Sequence, residues 1–171
     1  MLFQVNDQVV HSTHGVGRVV QVVTKRFATA EARRYYEIAI DRNTVWVPVE
    51  AEAETVTELR LLTPRAELGR YRAVLQSQPA PLTPDHRQRR LEISQRLKNC
   101  SLQTVCEIVR DLSARGWQKP LNDVDATGLR RAQETLGREW AAAEGVSLAV
   151  ALQEIEALLL AGRQHHQPRQ K

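Results

Sequence analysis

The residues with the clearest chemical potential form a short basic run, and their type is suited to phosphate. Arg87, Arg89 and Arg90 lie within four positions, directly after His86. A guanidinium is planar and donates two parallel hydrogen bonds, so arginine holds phosphate oxygens in a defined geometry. The preceding Thr83-Pro84 predicts a helix start, whose free N–H groups and partial positive charge also favour an anion. The run predicts either a phosphate-backbone contact or a solvated helix face, and its charge alone leaves both open.

The segment His11-Ser12-Thr13-His14 is a second candidate, because two imidazoles could hold a metal ion. It is predicted to lie where a strand enters a turn, and no cysteine or acidic residue stands at a ligand spacing from it. We therefore interpret these side chains as polar groups that shape a bend. The sequence predicts no metal site and no cofactor.

Signs of catalysis are missing from the sequence. It has no nucleophile elbow, no Walker loop and no paired carboxylates with a polar pocket. Gly15-Val16-Gly17 lacks the third glycine and the following helix of a dinucleotide loop. Cys100 and Cys106 suit neither a disulfide framework nor a zinc site. We predict a protein that is not an enzyme. Since no signal peptide or long apolar run is present either, we expect a cytoplasmic protein with no membrane contact.

Two patterns of secondary structure must position these side chains, and they meet near residue 63. Before it, short runs rich in β-branched residues alternate with turns, and four or five strands in about 50 residues suit a small, strongly bent barrel. After it, capping residues, prolines and glycines predict five helices. The predicted fold class is α+β with two domains, a small β-barrel and a compact helical bundle. The helices are expected at about 64–75, 84–98, 101–116, 124–144 and 147–162.

Charge divides at the same point. The 171-residue chain has 24 basic and 20 acidic residues, a net charge of +4. Residues 1–62 hold 7 basic and 8 acidic residues, whereas residues 63–171 hold 17 and 12. The excess positive charge therefore belongs to the helical part, which favours nucleic acid as the partner of that part.

Two aromatic residues of the first part have two interpretations each. Trp46, in a predicted strand, and Phe27, in the segment Lys25-Arg26-Phe27 after the longest strand, could fill the barrel core. They could equally be exposed anchors for a partner protein. A small barrel also has an open edge with which a partner strand could pair.

Several segments together resemble the CarD/CdnL family of bacterial transcription regulators. The first half also resembles the RNA-polymerase-interaction module of transcription-repair coupling factors. The segments that carry the resemblance are Phe3-Gln4-Val5-Asn6-Asp7-Gln8-Val9-Val10, His14-Gly15-Val16-Gly17, Tyr35-Tyr36-Glu37-Ile38, Val47-Pro48-Val49-Glu50, Glu107-Ile108-Val109-Arg110-Asp111-Leu112 and Leu129-Arg130-Arg131-Ala132.

The resemblance implies two domains with different partners. Residues 1–62 would form a Tudor-like domain that docks on the β-subunit lobe of RNA polymerase. Residues 63–162 would form a helical domain that contacts promoter DNA at the upstream edge of the transcription bubble, through the minor groove and the phosphate backbone. Residues 163–171 are expected to be a disordered tail.

The resemblance also implies the residues of each contact. Lys25 and Phe27, with Arg26 between them, match the polymerase contact, and so does Trp46, where relatives often carry a basic residue. His86, Arg87, Arg89 and Arg90 fall in the DNA-contacting segment. Relatives place a tryptophan at the position of His86, where it wedges into the minor groove, so a weaker or pH-sensitive wedge is expected here.

The predicted function is that of a monomeric regulator that binds RNA polymerase and stabilises the open promoter complex with little sequence specificity. The alternative is a polymerase-binding paralogue with weak or no promoter-opening activity, which acts through protein contacts only. In that case the basic helix would be a solvated face.

Overall fold

The computed structural model describes residues 3–26, 31–49, 59–98 and 101–166. The chain divides into two compact units, Met1–Leu62 and Thr63–Lys171, which we call the sheet unit and the helical unit. The division falls where both the hydrophobic pattern and the charge of the sequence change.

The sheet unit is built on five antiparallel strands, which form because β-branched and aromatic residues dominate these segments. The strands are β1 (Gln8–His11), β2 (Gly15–Lys25), β3 (Arg33–Ile40), β4 (Asn43–Pro48) and β5 (Leu59–Leu61). Their order in the sheet is β4-β3-β2-β1-β5. The register between β2 and β3 shifts at a bulge between Val19 and Gln21. A bulge of this kind bends a strand and increases its twist.

Two glycines shape the sheet unit in different ways. Gly15 has a φ of +84°, a left-handed conformation that strains any residue with a Cβ. A Cβ on Gly17 would come within 2.5 Å of Ile40 Cγ1 and 2.8 Å of the carbonyl oxygen of Ala39. Gly15 therefore forms the bend between β1 and β2, whereas Gly17 allows β3 to pack closely against β2.

One face of the sheet carries the core of this unit. Val9 and Ile38 are fully buried there, and Phe3 packs edge-to-face on Tyr36 with ring centroids 5.4 Å apart. Because side chains alternate along a strand, the neighbours of these residues, such as Glu37, point to the opposite face. We call that opposite side of β2, β3 and β4 the outer face.

The helical unit begins with a short 3₁₀ turn at Arg65–Glu67 and continues through five helices. These are α1 (Leu68–Gln76), α2 (His86–Lys98), α3 (Leu102–Gln118), α4 (Asp123–Glu144) and α5 (Leu148–His166). The α+β fold class, with a small antiparallel sheet followed by five helices, is confirmed.

Helix α3 lies at the centre of the helical core. Its predicted inward residues, Leu102, Val105, Cys106, Val109 and Leu112, are all buried, as expected for an amphipathic stripe. Burial raises the pKa of the Cys106 thiol to about 12, so this thiol is a protonated core group at neutral pH.

The end of α5 corrects one boundary. The sequence predicts that the helix stops at Gly162 and that residues 163–171 are disordered, but the helix continues to His166. Two contacts explain the extension. The Arg163 guanidinium lies 5.0 Å from the ring centroid of Trp117, and His166 Nε2 lies 3.2 Å from the carbonyl oxygen of Gln76. Residues 167–171 of the expected tail lie outside the described residues.

Within the described ranges, no single helix is long and apolar enough to cross a membrane. By length and composition alone, α4 and α5 taken together are long and apolar enough to cross one, but the pair is bent by 111°.

Candidate functional site

Trp46 lies on the outer face of the sheet, where its ring is held from two sides. Its Nε1 donates to Glu37 Oε2 at 3.3 Å, and the Lys25 ammonium lies 3.5 Å from the ring centroid. Gln21 Nε2 donates to the same Glu37 oxygen at 3.2 Å. The pairing of Gln21 with Glu37 and of Glu37 with Trp46 brings these side chains into one row across three strands. We call Gln21, Lys25, Glu37 and Trp46 the sheet-face cluster.

The structure excludes one of the two interpretations of Trp46. The residue is 39% exposed and does not belong to the core of the sheet unit. A cation over an exposed tryptophan face contributes about 0.5–1 kcal/mol, and the Glu37 hydrogen bond fixes the edge of the ring. The cluster therefore holds a partly exposed aromatic ring in a defined orientation, an arrangement that would suit a protein-binding anchor.

The end of the β2–β3 hairpin adds positive charge beside this cluster. Lys25 pairs directly with Arg33 across the two strands, and Arg26 and Arg34 adjoin them. Like charges in directly opposite positions destabilise a sheet, and this pairing concentrates positive charge at one end of β2 and β3. Arg26 is exposed at the end of β2, and Phe27 lies outside the described residues.

Sequence reasoning missed Glu37 and Arg33, although the sequence contains a usable signal. Tyr36 and Ile38 alternate with Tyr35 and Glu37, which places Glu37 opposite the core. What the sequence does not provide is the register, which sets Glu37 beside Trp46 and Arg33 beside Lys25.

The start of α2 is capped by Asp85, not by Thr83. Asp85 Oδ1 accepts from the backbone N–H groups of Arg87 at 3.0 Å and Gln88 at 2.8 Å. These bonds, that from Gln88 above all, hold the pKa of Asp85 below its ordinary value. Thr83 Oγ1 instead donates to Glu92 Oε2 at 2.6 Å. The two N–H groups are thus occupied, which corrects the expectation that they are free to bind phosphate.

Arg89 is buried, and this corrects its predicted role in DNA contact. Its side chain is 1% exposed and forms a two-pronged ion pair with Asp125, Nε to Oδ1 at 3.1 Å and Nη2 to Oδ2 at 2.5 Å. Its Nη1 donates to the carbonyl oxygens of Thr83 at 2.5 Å and Pro84 at 3.1 Å. All three nitrogens are therefore bonded within the protein, and none is available to a phosphate.

The Arg89–Asp125 pair fastens α2 to α4. Among the thirteen residues of α2, all of them described, Arg89 is the one buried residue. Asp125 lies in the first turn of α4, where its backbone N–H donates to the capping Asn122 Oδ1 at 2.8 Å. Arg115 Nε lies 3.8 Å from Asp125 Oδ2. The pair therefore helps to fix the position of the basic helix, together with Ile93 and Leu97, which pack against the helical core.

The remaining predicted residues of α2 stay on the surface. His86, Arg87 and Arg90 are exposed, and we call these three the α2 surface. They line a groove of about 440 Å³ together with Leu91, Ser94 and Val124. Leu91 is 53% exposed and Val124 is 42% exposed, so the groove combines cations with apolar side chains. This composition suits a ligand with both negative charge and apolar surface.

The structure gives the histidine pair of the first turn a structural role. His11 Nδ1 accepts from the backbone N–H groups of Thr13 at 3.1 Å and His14 at 3.3 Å, and the two imidazole rings lie against each other at a tilt of 54°, with centroids 4.7 Å apart. No group of three or more metal-ligating side chains occurs among the residues that the structure describes.

Comparison with known proteins matches both units. The family model of the CarD-like/TRCF RID domain matches residues 3–60, and that of the CarD C-terminal domain matches residues 71–156. The chain is also 25% identical over 146 residues to a Bacillus subtilis (strain 168) protein described as "Putative transcription factor YdeB". The alignment covers 85% of this chain and 95% of that protein.

Proposed function

The chain belongs to the CarD-like family of RNA polymerase-interacting transcription regulators, and on this premise we propose that it contacts two partners, one through each unit. The sheet unit docks on the lobe of the polymerase β subunit. The helical unit contacts promoter DNA at the upstream edge of the transcription bubble. Acting as a monomer in the cytoplasm and without catalysis, the protein stabilises the open complex.

The observation that carries the polymerase contact is the sheet-face cluster. Trp46 is exposed yet held by Lys25 and Glu37, so little side-chain freedom is lost when a partner covers it. Lys25, Arg26 and Arg33 lie at the neighbouring hairpin end and complement an acidic partner surface.

The DNA contact is supported by the charge and exposure of the α2 surface. Arg87 and Arg90 are exposed at the start of a helix in the part of the chain that carries the excess positive charge. Contacts of this kind go mainly to phosphate, so binding is expected to depend strongly on salt and weakly on sequence.

The proposed mechanism rests on linkage between the two contacts. Docking on polymerase raises the effective concentration of the helical unit at the promoter, so a weak DNA contact suffices. The open complex is stabilised only to the extent that the protein binds it better than the closed complex. His86 occupies the position of the wedge, so the differential contact comes from a smaller and more polar ring than tryptophan.

The lifetime of open complexes tests this function. Purified polymerase and a promoter fragment are challenged with a competitor, with and without the protein. We expect a longer lifetime with the wild-type chain and a loss of that effect for Arg87→Glu/Arg90→Glu. The matched control, Arg130→Glu/Arg138→Glu, makes the same charge change on α4 at residues that line neither groove described here.

The second candidate function is regulation through protein contacts alone. It is favoured by the absence of a tryptophan at His86, the position where relatives place one. Polymerase pulldown separates the two. If Arg87→Glu/Arg90→Glu binds polymerase normally and preserves the effect on lifetime, the α2 surface is a solvated face and the second candidate stands.

A further inference from the structure

The groove at the α2 surface continues along the contact between α2 and α4. A second groove of about 540 Å³ shares Arg90, Ser94 and Val124 with the first. It extends over the first turns of α4 to Arg131. The two grooves therefore follow one another between the same two helices.

Helix α4 directs a single face into this extension. Val124, Gly128 and Arg131 follow one another at intervals of four and three residues, so their side-chain positions lie on one side of the helix. Gly128 leaves open space there, since a Cβ on it would meet no atom within 4 Å. Arg131 is exposed at the far end of this face.

We propose that Arg131 is a DNA-phosphate contact and that the nucleic-acid surface runs from the α2 surface along the groove to α4. The inference rests on the proposed function and extends it. Arg90 on α2 and Arg131 on α4 provide a guanidinium from each helix, and guanidinium is the side-chain group best matched to phosphate.

Charge complementarity favours nucleic acid as the occupant. Of the two carboxylates that line the second groove, Asp125 is already paired with Arg89. Asp123 is exposed and is the acidic side chain that a phosphate would meet. The Arg89–Asp125 pair lies beneath the surface and joins the two helices that carry Arg90 and Arg131.

The test measures affinity for a fluorescent promoter duplex over a series of salt concentrations, in the presence of purified polymerase. Arg131→Ala is compared with Arg130→Ala, which removes the same charge from the adjacent exposed residue of α4. We expect Arg131→Ala to weaken binding severalfold and to reduce the slope of log K against log salt by about one. Arg130→Ala is expected to keep the wild-type slope.

Two further variants strengthen the test. Arg131→Lys keeps the charge and is expected to restore most of the slope, and Asp123→Asn is expected to raise affinity by removing a carboxylate from the path of the phosphates. Thermal unfolding confirms that each variant is folded.

Two outcomes overturn the proposal, and a third result distinguishes it from the proposed function. The first is an equal salt slope for Arg131→Ala and Arg130→Ala. The second is an Arg131→Ala variant that binds polymerase less tightly but binds DNA normally, since the groove would then bind an acidic segment of a protein. If Arg87→Glu/Arg90→Glu also leaves DNA binding unchanged, the proposed DNA function fails along with it. If that variant weakens binding and Arg131→Ala does not, only the extension to α4 fails.

Discussion

Lys25 and Arg89 are both cations predicted to touch a partner, and the two units of the protein use them in opposite ways. In the sheet unit, Lys25 stays at the surface and rests on the exposed ring of Trp46. In the helical unit, Arg89 is drawn into the interior and paired with Asp125. A cation in a basic run can therefore be a contact or an anchor, and its neighbours in space decide which.

The difference follows from what else holds each element. Strand β2 is fixed by ladders of backbone hydrogen bonds to β1 and β3, so its side chains are free to face outward. Helix α2 packs only two partly buried apolar residues, Ile93 and Leu97, against the helical core, and Arg89 is its one fully buried residue. The basic helix therefore adds a buried ion pair to a small apolar contact, whereas α3 is held by a full stripe of leucine, isoleucine and valine.

The largest effect on stability is expected from removing Arg89, which anchors α2 to α4. Arg89→Ala leaves Asp125 buried without its main partner, and removal of one member of a buried pair costs about 3–5 kcal/mol of the free energy of unfolding. Chemical denaturation measures this loss. Arg90→Ala, at the adjacent exposed position, is expected to change the same free energy by less than about 0.5 kcal/mol.

The same two variants can also contradict the proposed difference between Lys25 and Arg89. If Arg89→Ala keeps the stability of the wild type and instead weakens DNA binding as Arg90→Ala does, Arg89 is a contact residue and not an anchor. The free energy of unfolding of Arg89→Lys is expected to lie between those of the wild type and Arg89→Ala, because lysine keeps the charge but not the two-pronged geometry.

The second prediction concerns the contact in the sheet unit. Trp46→Ala is expected to weaken polymerase binding by about 2 kcal/mol or more, roughly thirtyfold, because a partly exposed tryptophan of this kind is typical of a binding hot spot. Titration with purified polymerase measures the change. Val20→Ala, which truncates an exposed apolar residue on a different strand, β2, is the control and is expected to bind normally.

Much of the architecture could be predicted from the sequence, because it depends on local patterns. The inward stripe of α3 and the change of pattern near residue 63 follow from hydrophobic spacing. The start of α5 is equally local, since the Oγ of Ser147, directly before the helix, accepts from the backbone N–H of Val150 at 3.3 Å. The extension of α5 to His166 could not be predicted, since it depends on Trp117 and Gln76, which are far away in the chain.

The candidate site was less predictable for the same reason. Arg89 looks like its exposed neighbours until Asp125, 36 residues later, is brought beside it. Glu37 looks like an ordinary strand residue until the register places it beside Trp46. The sequence indicates which residues carry charge, and only the tertiary structure indicates which charges are already neutralised.

The third prediction concerns the hydrogen bond between Glu37 and Trp46 in the sheet-face cluster. Glu37→Ala is expected to weaken polymerase binding by about two- to tenfold, because the Trp46 ring loses the hydrogen bond that fixes its edge. Glu37→Gln retains an oxygen acceptor and is expected to recover most of the affinity. If alanine and glutamine weaken binding equally, the charge of Glu37 matters and its positioning of the ring does not.

The smallest effect is expected at the cap of α2, where stability and DNA binding should respond in opposite directions. Asp85→Ala removes the acceptor of the Arg87 and Gln88 N–H groups, so the helix start frays and the Tm falls slightly. The same change frees those donors and removes a negative charge beside Arg87, so affinity for DNA rises.

Because the pKa of the Asp85 carboxyl is lowered in the folded protein, its stabilising contribution is complete at neutral pH and is lost as the pH falls through that lowered pKa. The difference in Tm between wild type and Asp85→Ala should therefore be constant from about pH 5 to pH 8 and should shrink below about pH 4. A difference that persists at low pH would mean that the variant acts through the backbone conformation of the helix start and not through the carboxylate.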